Sequence, residues 1–353
     1  MSANNLIRVD HKKYADFCTQ ACIKTGFSKE AADATAYYLI RTDMFGVYSH
    51  GTLNLLPYMK KAEAGGIMIN ARPQVVSEGP AWAVVDGNNG MGFYNARFAM
   101  EIGMNKAKSA GISYVMVRNS SHYGACGAYA VDGAEKGFIT LTASNVAKTM
   151  TVPGGRGGII GNSPFSYAVP AGSHPPVFLD IATSNIAGMK VNRAKTAGEQ
   201  APPGAIVDEN GLPTTDPNTN WALYPMGGHK GYGIAFFIEV LTSILSGGAV
   251  LDIPLWIKNM SEICPYSHMF MFIDAAAMMP PELFGGRMES AIGEIVNSPK
   301  ATGAQRIYLP GEIEWERYSE AQSRGLELPA DVESNARELA HWLGLDFEVC
   351  ITP

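Results

Sequence analysis

Residues 81–86 read Ala81-Trp82-Ala83-Val84-Val85-Asp86, and residues 112–117 read Ile112-Ser113-Tyr114-Val115-Met116-Val117. Both are short apolar runs rich in β-branched and aromatic residues, the composition of strands. Between them, residues 94–109 read as a helix. A second helix over 125–136 and a third strand over 138–143 follow. Strand alternating with helix in this way predicts an α/β architecture.

On the N-terminal side, residues 9–25 place Tyr14, Phe17, Cys18, Ala21 and Cys22 at helical spacing, closed by Gly26. Ser28 then caps a second helix, with Glu30 in its first turn. Residues 53–63 resume helical character, with Pro57 placed where a helix start tolerates it. Downstream, residues 151–176 are rich in Gly and Pro and leave room for a short strand at 165–169. Further strands are expected at 176–181 and 270–273, a helix at 281–297, and two Glu-rich helices in the tail. No internal repeat or clear linker separates the parts.

With 353 residues the chain has enough length for a large core and two subdomains. It is 46% hydrophobic and 17% charged, with a net charge of -6. No run of Lys or Arg makes a basic face, so nucleic acid is not an expected partner. The five cysteines are odd in number and form no CxxC pair, so neither a disulfide framework nor a zinc site is expected. Reduced cysteines in a cytoplasmic protein fit that pattern. The N-terminus lacks the apolar core of a secretory leader. The most apolar window, 234–245, contains Glu239 and is too short for a bilayer, so it is read as a buried helix with no membrane role.

Four stretches set a polar or ionisable residue beside glycine or small residues at the end of a regular element. They are Ser49-His50-Gly51, Ser121-His122-Tyr123-Gly124, Asp180-Ile181-Ala182-Thr183-Ser184 and Gly228-His229-Lys230-Gly231. Loops after strands are where α/β proteins bind ligands. His50 is open to two readings: a general acid or base oriented by Ser49, or a capping segment whose imidazole only bonds backbone. His122 is equally open between a ligand-facing residue and a helix-start residue. Gly228 to Gly231 open a helix, where free N–H groups and Lys230 suit an anion. The GxxxxGK[ST] and GxGxxG spacings are both missing, so neither a P-loop nor the usual dinucleotide turn is present. A Ser–His–Asp hydrolase built on Ser49, His50 and Asp180 is a further option, without the G-x-S-x-G elbow. Against it, adjacent Ser49 and His50 are not expected to bring Oγ within reach of the neighbouring ring.

Seven stretches together carry a resemblance. They are Gly46-Val47-Tyr48-Ser49-His50-Gly51, Arg118 to Ala125, Gly161-Asn162-Ser163-Pro164, Leu179 to Ser184, Pro213-Thr214-Thr215-Asp216-Pro217, Pro225 to Gly233, and Leu309-Pro310-Gly311. In this order, over nearly the whole chain, they resemble the malate/L-lactate/sulfolactate dehydrogenase family, whose members include ureidoglycolate dehydrogenase and 2,3-diketogulonate reductase. The resemblance implies a non-Rossmann α/β fold with intertwined subdomains. Residues 1–78 with 275–353 would form a helical, dimerising, substrate-side unit, and 79–274 an α/β cofactor-binding unit. It also implies a homodimer or larger homo-oligomer acting on a small 2-hydroxy or 2-oxo acid with NAD, or NADP, and no metal.

By similarity His50 is the proton donor and acceptor and Ser49 its relay partner. His122, Tyr123, Gly124, Ala125 and Cys126 would line cofactor and substrate, and in some members the histidine at position 122 is the catalytic base. Asp180, Ile181, Ala182, His229, Lys230, Pro310, Gly311 and Glu312 would hold the cofactor. Two departures bear on the substrate. Asn54 stands where relatives carry an Arg that forks onto a carboxylate, and Asn162 where they carry a Thr. Asn54 and Asn162 can still bond substrate, and Lys190 or Arg193 could supply the missing charge. These departures keep two alternatives in view: a homologue that binds without turnover, and a reductase of a less acidic keto or imine substrate.

Overall fold

The computed structural model describes residues 6–352. The leader reading and the outer ends of the domain division also involve residues 1–5 and 353, which lie outside the described residues. A seven-stranded sheet organises the chain. In spatial order its strands are Gln74–Gly79, Trp82–Asp86, Ile112–Ser120, Tyr266–Asp274, Phe138–Ser144, Phe165–Ala171 and His174–Ile181. Only Trp82–Asp86 and Ile112–Ser120 pair in parallel. The other neighbours are antiparallel. Simple alternation of strand and helix would give a mostly parallel sheet. It does not here, because Tyr266–Asp274 returns from far along the chain and inserts between Ile112–Ser120 and Phe138–Ser144. The α/β reading holds, with a mixed sheet at its centre.

That central strand is buried on both sides. Phe270 and Phe272 join the core that includes Val115, Val117 and Met104 of the helix Gly92–Ala110. Met269, one step out of phase, packs with Ala143, Ile238 and Leu241 on the opposite face. The helix Lys29–Met44 packs over Gly92–Ala110, and His11–Thr25 packs in turn on Lys29–Met44. One core runs continuously from Tyr14 and Cys18 through the sheet to Leu339. The 78/79 boundary falls inside the hairpin Gln74–Gly79/Trp82–Asp86, so the first of these strands belongs with the sheet.

The caps follow the sequence. Asp10 accepts from the N–H groups of Lys12 and Lys13, and Ser28 accepts from that of Ala31; such caps contribute about 1 kcal/mol each. All five cysteines are free and buried, and Cys18 and Cys22 share a core face as their spacing predicts. The window 234–245 departs from expectation. Ala235, Ile238 and Glu239 are buried, but Phe236 and Phe237 are 53% and 60% exposed and Leu245 is 56% exposed. A segment apolar all round predicts burial all round; within one chain only one side finds a partner. Among the described residues no helix is long and apolar enough to cross a membrane.

Candidate active site

The helix Lys29–Met44 ends at Phe45, and a 3-10 turn, Tyr48–His50, carries Ser49 and His50. A second such turn, Thr52–Asn54, leads into the helix Leu55–Glu63. What pins this loop is Asp43, which is 1% exposed. Its Oδ2 accepts from the Thr52 N–H at 3.1 Å and, over a very short contact, from the Thr52 hydroxyl. Tyr14 donates to that same hydroxyl oxygen at 3.0 Å. Burial raises the Asp43 pKa from its ordinary 3.8 to about 7. The folded chain thus keeps a proton that the unfolded chain has already lost. The stability this contributes is complete below about 3.8 and is lost as pH rises through about 7. Asp43→Asn is expected to flatten that fall, read from urea unfolding over a pH series; an unchanged slope would remove Asp43 as its source.

Ser49 Oγ lies 3.0 Å from His50 Nδ1. The spacing argument disfavours this contact between adjacent residues, and the structure corrects it: the tight 3-10 turn folds both side chains onto one side. Asn54 turns back and donates from Nδ2 to the Ser49 carbonyl at 2.9 Å. Its amide therefore braces the motif rather than reaching outward.

His122 follows the strand Ile112–Ser120 and precedes the helix Cys126–Glu135. Its ring centre is 5.9 Å from that of His50, with the planes 29° apart. The two loops also touch through backbone: Gly124, at φ +81°, packs so closely that a Cβ there would lie 3.2 Å from the His50 carbonyl oxygen. Trp256 stacks on His122 at 5.0 Å, and Tyr58 places its hydroxyl 2.5 Å from His122 Nδ1. Burial lowers the pKa of His50 below its ordinary value. The pKa of His122 is driven well below 6.5 by burial first and then by the proximity of His50 and His268. His122 is therefore neutral at neutral pH.

A cleft of about 140 Å³ lies beside this cluster, lined by Ala125, Gly127, Phe178, Asp180 and Gly311, with Phe45 and Val47 opposite. Asp180 Oδ2 accepts from the Gly127 N–H at 2.8 Å. Burial pushes its pKa up to about 6, against the pull of the Gly127 N–H. Pro310 enters this wall by accepting from the Phe178 N–H at 3.2 Å. Met226 N–H bonds the Thr183 carbonyl at 2.8 Å, which sets the helix His229–Glu239 beyond the end of the strand that carries Asp180. His229 and Lys230 are exposed at its first turn.

The chain from residue 9 to residue 335 matches the model of the malate/L-lactate dehydrogenase family. The chain belongs to that family. It is 32% identical over 358 residues to malate dehydrogenase of Pyrococcus abyssi, covering 97% of this chain and 96% of the relative. It is 34% identical over 328 residues to L-sulfolactate dehydrogenase of Methanocaldococcus jannaschii, covering 92% and 94%. The solved structure of sulfolactate dehydrogenase from Methanocaldococcus jannaschii superposes with a TM-score of 0.90 at 31% identity, over 98% of this chain and 99% of the other. These malate/L-lactate dehydrogenase relatives are named dehydrogenases, and an oxidoreductase is the class they support.

As a member of the malate/L-lactate dehydrogenase family, the chain brings Ser49, His50 and His122 into one cluster, and Ala125, Asp180, Pro310 and Gly311 into the adjoining cleft. Tyr123 and Cys126 instead bury their side chains, bonded to each other at 2.9 Å, and their carbonyls accept from the hydroxyls of Tyr129 and Thr142. Glu312 Oε2 accepts from the Leu309 N–H at 2.8 Å and holds its own turn. Asn162 spends its amide on Thr149 at 3.0 Å and Ser184 at 3.2 Å. Lys190 lies exposed on the helix Gly188–Ala197, and Arg193 pairs with Asp331 at 3.7 Å. The hydrolase reading does not survive: His50 Nδ1 is held by Ser49, and Asp180 bonds backbone at Gly127. Sequence reasoning missed Asp43, Thr52, Tyr58 and Trp256. Each is an apolar or capping residue by local pattern, and only distant neighbours give it a site role.

Proposed function

We propose that this protein is an NAD(P)-dependent oxidoreductase that interconverts a small 2-hydroxy acid and its 2-oxo acid. The observation that carries the reading is the pair of imidazoles, His50 backed by Ser49 and His122 backed by Tyr58, at the edge of the cleft. The cleft residues fit a dinucleotide. Asp180 is an acceptor suited to hydroxyl groups, and the helix start at His229 with Lys230 suits phosphate. When bound, the nicotinamide accepts or supplies the hydride at C2. The chain's own part is the proton. As hydride leaves C2, the hydroxyl proton passes to His50, and in reduction His50 returns it to the carbonyl oxygen. Ser49 holds Nδ1, which leaves Nε2 for the exchange. Asn54 is committed to Ser49, so the charge for a substrate carboxylate is assigned to Lys190, exposed on the helix Gly188–Ala197. The mostly antiparallel sheet supports the non-Rossmann reading with intertwined subdomains.

The functional unit is read as a homodimer. The exposed face of the helix His229–Glu239 and its extension, with Phe236, Phe237 and Leu245, is large and apolar for a free surface. Phe237→Asp is expected to weaken self-association by about 30-fold or more. Light scattering across a dilution series checks this; an unchanged mass would put the interface elsewhere.

The function is tested by adding NADH or NADPH with a panel of 2-oxo acids, oxaloacetate, pyruvate and sulfopyruvate among them. Consumption of reduced cofactor is expected. Cofactor binding without turnover on any panel member would instead support a binding homologue. Neither binding nor turnover would remove the reading altogether.

A further inference from the structure

We propose that Tyr58 is a positioning residue that holds His122 as its Nε2–H tautomer, so that His122 serves the reaction as a neutral hydrogen-bond donor and not as its base. The inference rests on the proposed oxidoreductase reading for the reaction, and on hydrogen bonding alone for the tautomer.

Tyr58 is fully buried on the helix Leu55–Glu63, and its hydroxyl meets His122 Nδ1 at 2.5 Å. Among the described residues this hydroxyl has no other hydrogen-bond partner. Were it to accept from an Nδ1–H, its own proton would be buried without an acceptor, which is costly. The Gly124 N–H also reaches Nδ1, at 3.4 Å, and a backbone N–H can only donate. Two donors therefore converge on Nδ1 and require it to be the unprotonated nitrogen. The neutral ring then carries its proton on Nε2.

The rings are locked in this arrangement. Trp256 stacks on both His122 and Tyr58, with centroids 5.0 and 4.7 Å away, while Tyr266 meets His122 edge-on at 5.9 Å. An imidazole whose Nε2 already bears a proton has only Nδ1 left to take another, and that nitrogen is occupied by Tyr58 and the Gly124 N–H, while His50, 5.9 Å away, opposes the cation that would form. The two histidines thus divide the work. His50 moves the proton, and His122 offers an N–H to the oxygen on which negative charge develops.

The test begins with protein labelled with ¹⁵N in its seven histidines. A long-range ¹H–¹⁵N spectrum is recorded, and His122 is assigned by its loss in His122→Gln. The expected result is Nδ1 with the shift of an unprotonated nitrogen and Nε2 with that of a protonated one; Tyr58→Phe, which keeps the ring stacking, should lose this single-tautomer signature. In kinetics, His122→Ala should cost about 100-fold in kcat. His122→Gln places an amide N–H near the Nε2 position and should stay within about tenfold of wild type. A protonated Nδ1 in the wild type overturns the proposal, as does His122→Gln being as inactive as His122→Ala. The spectrum needs no turnover. An inactive wild type with the expected shifts therefore fails the oxidoreductase reading and the donor role while upholding the tautomer. An active wild type with a protonated Nδ1 upholds the oxidoreductase reading and fails both the tautomer and the donor role.

Discussion

His50→Ala is expected to lower kcat/KM by about 10³-fold in both directions, with the Kd for reduced cofactor unchanged. The side chain is half-buried on the Tyr48–His50 turn and is not part of the cleft lining, so its removal takes away the proton acceptor without dismantling the cofactor wall. The pH dependence has a definite sign. Burial lowers the His50 pKa, because the charged imidazolium loses solvation. Oxidation needs neutral His50, so its kcat/KM rises with pH through that lowered value and is flat above it. Reduction needs the imidazolium, so its kcat/KM falls as pH rises through the same value. Steady-state rates in both directions, with cofactor titration by fluorescence, check the pair of expectations. Turnover in His50→Ala within about fivefold of wild type would assign the proton to another group.

Gly51→Ala is expected to cost about 3 kcal/mol of folding stability. A Cβ on Gly51 would lie 1.7 Å from Asp43 Oδ1 and 2.6 Å from its Cγ, far inside contact distance. The carboxylate cannot yield easily, since Thr52 holds Oδ2 twice and Tyr14 stands behind Thr52. The loop must move instead, and His50 is the preceding residue. A shift of about 1 Å at a catalytic group costs on the order of 100-fold in turnover. Urea unfolding and kcat together check this. Gly286→Ala is the control: it sits inside the helix Pro281–Val296, where an added methyl would meet nothing within 4 Å. The new side chain there should stabilise by about 0.5–1 kcal/mol. Wild-type stability in Gly51→Ala would mean the contact with Asp43 is looser than the packing shows.

Much of the element pattern was legible in the chain. Asp10 and Ser28 cap the helices they precede, and the strands at 82–86, 112–120 and 138–144 lie where β-branched runs put them. The helix Gly188–Ala197 was not legible, because only Val191 is buried and no apolar stripe marks it. The edge strand Gln74–Gly79 escaped notice for a related reason: it is exposed almost throughout, so no alternation of apolar and polar residues betrays it. In the site, Ser49, His50, His122 and Asp180 were legible because each sits at an element end beside glycine or small residues. Tyr58 was not, since a tyrosine on a buried helix face looks the same whether it packs or donates a hydrogen bond.

Local sequence was enough for the elements, their caps, and the Ser49-His50-Gly51 motif, because propensity and capping act over a few residues. It took long-range packing to insert Tyr266–Asp274 between Ile112–Ser120 and Phe138–Ser144, and to set His50 opposite His122 over Tyr58. The difference is one of range. A capping bond is set by neighbours three residues away, whereas the order of strands and the tautomer of an imidazole depend on burial shared by segments far apart in the chain.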